Sequence, residues 1–283
     1  MKIAIASGKG GTGKSTVAAN LACVLSRSRE VALVDCDVEE PNLRLFFPAP
    51  AEDVPVTTPV PEIDPDRCTL CGECGTFCRF GALAVLKDRV LVFPELCHSC
   101  GGCVLVCREG AVREVRRAVG KVACSSPLPR LVLISGILDE GEVQAPAVVR
   151  SAKALAGGHP LVLYDAAPGI ACPVITTLEG SDVCVLVTES TPFGLHDLRL
   201  AAEVAEGVGI PAGVVINRSD GEDAATVEFC RDRGLPVLMT IPFSRKIAAV
   251  QNRGGLICRD LPRWEERFAG LFAGIARIAE MDS

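Results

Sequence analysis

Short apolar runs, each closed by a polar, glycine or proline signal, recur through most of the chain. They are MKIAIAS at the start, VALVDCD at 31–37, LVLIS at 131–135, LVLYDAAPG at 161–169, VCVLVTES at 183–190, AGVVIN at 212–217 and VLMTIPF at 237–243. Runs rich in Val, Leu and Ile without alternation are the pattern of strands buried on both faces. Helical patterns fall between most of them. Between the first two runs, Val17, Leu21, Val24 and Leu25 share one helical face, completing a βαβ unit. The rhythm predicts a mostly parallel sheet flanked by helices. Near the far end, Trp264, Phe268, Leu271, Phe272, Ile275 and Ile278 form the apolar stripe of an amphipathic helix over 264–279. Glu265, Glu266 and Glu280 beside its arginines argue against a membrane anchor, so docking on the sheet is expected.

One stretch breaks the rhythm. Pro48, Pro50, Pro55, Pro59, Pro61 and Pro65 exclude a helix or a central strand, and the segment reads as a linker. Beyond it lies an internal repeat: Cys68, Cys71, Cys74 and Cys78 recur 29 residues later as Cys97, Cys100, Cys103 and Cys107, and CRFGAL recurs as CREGAV. The short Arg-rich stretch 113–121 reads as a solvated edge. The expected organisation is one α/β domain, 1–58 and 118–283, carrying an inserted module at 59–117.

Composition adds a constraint. A strand beginning at Lys2 leaves no room for a leader pattern, and no run of 18 apolar residues occurs, so a cytoplasmic chain is expected. In that compartment 15 cysteines point to metal rather than to disulfides. The net charge of −6 argues against a nucleic-acid partner.

The repeated spacing C-x2-C-x2-C-x3-C is that of bacterial two-cluster ferredoxins, in which the fourth cysteine of each run ligates the other cluster. Cys68, Cys71, Cys74 and Cys107 are therefore expected to hold one [4Fe–4S] cluster, and Cys97, Cys100, Cys103 and Cys78 the second. Zinc is the rival metal for paired C-x2-C units. The module would be a ferredoxin-like α+β unit. It departs from the usual pattern in having Arg79 and Arg108 where proline follows the fourth cysteine. Added positive charge there would favour the reduced clusters. His98 is expected to be exposed or to sit behind the ligands. Of the other cysteines, Cys23, Cys36, Cys124, Cys184, Cys230 and Cys258 read as small buried apolar residues.

The segment Gly8-Lys9-Gly10-Gly11-Thr12-Gly13-Lys14-Ser15-Thr16 contains G-x-x-x-x-G-K-[ST] between a strand and a helix. Glycines let backbone amides close around phosphate oxygens, and the helix start adds positive potential. Lys14 would reach the β- and γ-phosphates of ATP or ADP, and Ser15 would ligate Mg2+. The overlapping G-x-G-x-x-G pattern alone would be weak, and Lys14-Ser15 decides for the phosphate loop.

KGGTGKST resembles the deviant Walker A motif of the MinD/ParA/Mrp superfamily, which includes the nitrogenase iron protein. The resemblance covers about four-fifths of the chain and implies a P-loop ATPase fold. It implies that Lys9 crosses a dimer interface to the other subunit's nucleotide, giving a homodimer, or a related heterodimer, when ATP binds. LVDCD resembles switch I: Asp37 would orient the attacking water, and Asp35 would lie close to Mg2+. YDAAPG resembles switch II, with Asp165 acting on Mg2+ through water and the Gly169 amide meeting the γ-phosphate. VVINR places Asn217 where adenine is read. The plainer readings are helix capping for the aspartates and a turn residue for Asn217. Cys172, close after switch II, raises an intersubunit cluster, although no second cysteine for it is evident and packing is the alternative.

Three functions follow from the resemblance: a slow, partner-dependent ATPase coupling its dimer switch to electron transfer or metallocluster assembly; a spatial or cell-division regulator with structural or sensory clusters; and a cluster carrier. The first calls for a redox or cluster-accepting protein partner.

Overall fold

The computed structural model describes residues 1–281. In chain order its strands are β1 (Lys2–Ala6), β2 (Val31–Cys36), β3 (Glu52–Ile63), β4 (Leu83–Val85), β5 (Val90–Val92), β6 (Val112–Leu128), β7 (Leu131–Leu138), β8 (Val162–Ala166), β9 (Val183–Glu189), β10 (Ala212–Ser219) and β11 (Val237–Pro242). The helices are α1 (Lys14–Leu25), α2 (Leu43–Phe46), α3 (Glu73–Phe77), α4 (Gly102–Val106), α5 (Ala145–Leu155), α6 (Cys172–Leu178), α7 (Pro192–Val208), α8 (Ala224–Asp232), α9 (Arg245–Asn252), α10 (Ile257–Asp260) and α11 (Arg263–Met281).

Among the described residues nine strands form one sheet in the order β11-β10-β9-β1-β8-β2-β7-β6-β3. From β11 to β7 every pairing is parallel; β6 and β3 are antiparallel additions at one edge. The apolar runs of the sequence are thus β1, β2 and β7 to β11. On one face, α1 and α11 cover the sheet, with Leu21, Phe268, Leu271 and Ile275 buried together. On the other face, α5 packs over β2, β7 and β8, while α6 and α7 pack over β1, β9 and β10. Helix α1 differs from the one-sided helix that its pattern suggests: every residue except Ser15 is buried. It is wedged between the sheet and the C-terminal helices, so small residues occupy its second face. Among the described residues no helix is long and apolar enough to cross a membrane.

The proline-rich stretch is not a linker. Residues 52–63 form β3, paired with β6 along its length. Proline removes a ladder donor, which an edge strand tolerates on its open side. Pro55, Pro59 and Pro61 are an even number of residues apart, which lets their nitrogens face that open edge. Val56 and Val60 share the opposite parity and are buried.

The ribbon β3–β6 carries the cysteine repeat between its strands. There the β4–β5 hairpin is flanked by α3 and α4, which pack on each other. The repeat extends to the backbone. Leu70 and Ser99 both adopt left-handed φ, near 58° and 56°, and so do the pairs Gly72 and Gly101, and Gly81 and Gly110. Each pair is separated by the same 29 residues as the cysteines.

Candidate functional sites

The first site lies where β1, β2, β8 and β10 end. Backbone compression requires the loop's glycines: a Cβ on Gly8 would fall 2.1 Å from the Asp197 carbonyl oxygen, and one on Gly13 would fall 2.2 Å from Asn217 Nδ2. Gly13 also stands at φ 97°, as the left-handed residue before α1. Lys14 opens the helix and is only 6% exposed. No carboxylate lies within 4.0 Å of its ammonium among the described residues. The loop therefore keeps a largely desolvated cation beside a row of small residues, which suits an anion.

Sheet register sets Asp35 of β2 directly beside Asp165 of β8. Both are buried. Asp35 accepts the amides of Asp37 at 3.2 Å and Leu43 at 2.9 Å, and so shapes the loop after β2. Burial and the neighbouring Asp165 push its pKa well above the usual carboxylate range. Burial raises Asp165 to about 6, against the opposing pull of Lys14 and of the Ser15 hydroxyl. Burial likewise raises Asp37, and Lys14 again opposes. Asp165 Oδ1 and Thr12 Oγ1 are buried without a hydrogen-bond partner. Two crowded carboxylates, a serine hydroxyl and an orphaned carboxylate oxygen are a donor set that Mg2+ fits, because a hard divalent cation neutralises the charge the fold has desolvated. Ser15, Asp35 and Asp165 are the residues that could hold it.

Four further residues have definite local partners. Asn217 donates from Nδ2 to the Thr12 carbonyl at 2.7 Å, bracing the loop against the end of β10. The Gly169 amide donates to the Ser7 carbonyl at 3.0 Å, with Gly169 at φ 94°. Lys9 Nζ sits 3.6 Å from Glu189 Oε2, and the same carboxylate takes Arg218 at 2.7 Å. Thr16 is buried, and its hydroxyl accepts from Gln251 Nε2 at 2.9 Å. Glu189 was missed in the sequence because its only local signal was a polar end to an apolar run.

The second site is the insert. A cavity of about 180 Å³ is lined by Cys68, Cys71, Cys74 and Cys107. A narrower space, about 20 Å³, is lined by Cys78, Cys97, Cys100 and Cys103. Chain crossing brings these sets together: the two short helices pack on each other, so each fourth cysteine falls beside the other run's first three. Among the described residues no three His, Cys, Asp or Glu side chains converge as a single metal ion requires. A four-iron cube makes no such demand, since each thiolate takes a different iron. The left-handed residues turn amides toward sulfur: Ser99 N–H donates to Cys97 Sγ at 3.4 Å, and Ala111 N–H donates to Cys107 Sγ at 3.2 Å. Thiolate-ready amides and four sulfurs per cavity fit [4Fe–4S] ligation. Burial raises the thiols of Cys74 and Cys97, and raises Cys103 to about 11, so ligation would release protons.

His98 is exposed and stacks on Phe80, with ring centroids 3.8 Å apart. Cys23, Cys36, Cys184, Cys230 and Cys258 are buried, Cys124 is half-buried, and Cys172 is exposed at the start of α6.

Comparison with known proteins agrees with the nucleotide-binding fold. The sequence profile of the CobQ/CobB/MinD/ParA nucleotide binding domain matches residues 3–257. An uncharacterized protein of Methanocaldococcus jannaschii is 32% identical over 224 residues, spanning 77% of this chain and 80% of its own. The septum site-determining protein MinD of Pyrococcus horikoshii, solved in complex with Mg-ADP, superposes with a TM-score of 0.60 at 20% identity, covering 100% of this chain and 98% of that one. A shorter match, 53% identical over 55 residues, is to the iron-sulfur cluster carrier protein of Aquifex aeolicus, covering 19% of this chain and 15% of that protein.

Proposed function

The chain belongs to the CobQ/CobB/MinD/ParA nucleotide-binding family, and from that premise we propose that it is an ATP-hydrolysing iron–sulfur protein whose nucleotide-dependent dimer switch is coupled to electron transfer or to metallocluster assembly. The observation that carries the reading is the presence, in one chain with the phosphate loop, of two cavities each lined by four cysteines. Residues 59–117 would form the ferredoxin-like insert, within an ATPase domain of 1–58 and 118–283.

At the nucleotide, the loop amides and the start of α1 neutralise phosphate charge, and Lys14 supplies a cation the fold has already desolvated. Ser15, Asp35 and Asp165 hold Mg2+. Asp37 orients water, Asn217 faces the adenine side, and the Gly169 amide exchanges the Ser7 carbonyl for a phosphate oxygen. Lys9 leaves Glu189 to reach the partner's nucleotide. When bound, a [4Fe–4S] cluster supplies a one-electron carrier. The cysteine loops hold it, and their inward amides tune it.

Anaerobic purification with iron and sulfide analysis tests the reading. Two four-iron clusters per chain are expected. Cys68→Ser and Cys97→Ser should each lower iron by about half, with ATP binding retained; Lys14→Ala should abolish ATP binding, with iron retained. Colourless, iron-poor protein would defeat the proposal. A carrier role is favoured by the short match to the Aquifex aeolicus carrier. Transfer of iron and sulfide to an apo-acceptor, with loss of the donor's own absorbance, would select that role over electron transfer.

A further inference from the structure

The segment after β7 touches both sites. At its start, Leu138 N–H donates to the Val38 carbonyl at 2.8 Å, and Val38 follows Asp37 directly. Asp139 N–H donates to Val119 of β6 at 3.1 Å. Glu142, 7% exposed, forms a forked ion pair with Arg117 of the ribbon. At its end, Gln144 is buried and its Nε2 donates to the Cys97 carbonyl at 2.6 Å and to Ser99 Oγ at 3.0 Å. One amide group therefore grips the loop whose Ser99 N–H points at Cys97 Sγ.

Gln144 is also the residue immediately before α5, and one turn on, Val148 meets Val38 beside the Asp37 loop. Val38 and Val148 close over Gly136, where a Cβ would meet them at 2.6 and 3.2 Å. Gly136 leaves no slack at this point. Movement of the Asp37–Val38 loop must displace α5 or the β7 end, and either displacement carries Gln144 with it. The repeat makes the arrangement one-sided. In the first cysteine set Leu70 replaces Ser99, and among the described residues no side-chain hydrogen bond reaches the Cys68–Cys71 loop.

Resting on the functional reading above, we propose that Gln144 is the positioning residue that transmits the nucleotide state of the Asp37 loop to the second cysteine set. Hydrogen bonds near ligating sulfurs set cluster potential. A shift of Gln144 alters the tilt of the Cys97–Ser99 loop, and with it the amide aimed at sulfur. The first set lies outside this linkage.

The test is a redox titration of the anaerobic full-length protein, followed by electron paramagnetic resonance, with and without Mg2+ and a non-hydrolysable ATP analogue. In the parent protein one cluster's potential should move with nucleotide and the other's should stay. Gln144→Met, similar in shape but without donors, should lose that shift while keeping parental iron content and the parental nucleotide affinity of the oxidised protein. Gln144→Lys, which restores a donor at similar reach, should keep it. A shift that persists in Gln144→Met, or no shift in the parent, overturns the proposal. Linkage supplies a check needing no variant: nucleotide affinity must differ between oxidised and reduced protein by the free energy of the potential shift. Equal affinities would also overturn it. Iron-free protein would instead defeat the functional reading on which it rests.

Discussion

Asp165 is a carboxylate that the fold holds at a cost. Burial raises its pKa from 3.8 to about 6. Between those values the folded chain keeps a proton that the unfolded chain has released. This group's effect on stability therefore becomes unfavourable as pH rises through that window, and is complete above it. Asp165→Asn removes the charge and keeps the shape. In chelator and without nucleotide, the variant should be more stable than the parent at pH 8 by roughly 2–3 kcal/mol, and the gap should close toward pH 4. Thermal unfolding at the two pH values checks both magnitude and sign. The same variant should lose Mg-dependent ATP hydrolysis, separating function from stability. Asp165 was reached in the sequence only through the resemblance of YDAAPG to switch II, whereas the phosphate loop and the C-x2-C runs carry their spacing locally. Glu189, Gln144 and Lys153 were not legible there. Lys153 donates to the carbonyls of Thr176, Thr177 and Glu179 at the end of α6, a partnership set wholly by tertiary packing.

At the scale of elements, the insert depends on how closely two very short helices approach. A Cβ on Gly102 of α4 would fall 2.0 Å from the Phe77 ring of α3. Five-residue helices cannot stand alone, so this contact defines their pose, and the clusters proposed here would add to it. Gly102→Ala should force Phe77 aside, an overpacking cost of about 1–3 kcal/mol. The expected signs are faster loss of cluster absorbance in air and lower iron content, with ATP binding retained because no nucleotide-site residue lies on these helices. Undiminished iron in this variant would mean that the helices have room to spare. The strands of the parallel sheet were readable because burial on both faces leaves continuous apolar runs. Strand β3 was not, because six prolines outweigh the two-residue alternation of Val54, Val56, Thr58 and Val60 that marks it. That alternation was the available signal, and only an edge position reconciles it with proline.

For the whole molecule, the decisive question is what Lys9 does when two copies meet. In the single chain its ammonium lies 3.6 Å from a Glu189 that is 15% exposed and already bound to Arg218. A symmetric dimer in which each Lys9 reaches the partner's nucleotide must break this pair twice, because an isologous interface repeats every contact. Pairs at such partly exposed positions are worth up to about 1 kcal/mol each. Glu189→Gln removes the competing charge and leaves Arg218, itself half exposed, to solvent. With a non-hydrolysable ATP analogue, the variant should dimerise more tightly than the parent, by about tenfold if the two pairs together are worth about 1.4 kcal/mol. Sedimentation equilibrium would measure the change. Lys9→Ala should remain monomeric at concentrations where the parent pairs. Added salt weakens the Glu189 contact as well as the intersubunit one, so the advantage of Glu189→Gln should shrink at high ionic strength. An unchanged dimerisation constant in Glu189→Gln would make the carboxylate a passive neighbour of Lys9, and would place the energetic barrier to pairing elsewhere in the chain.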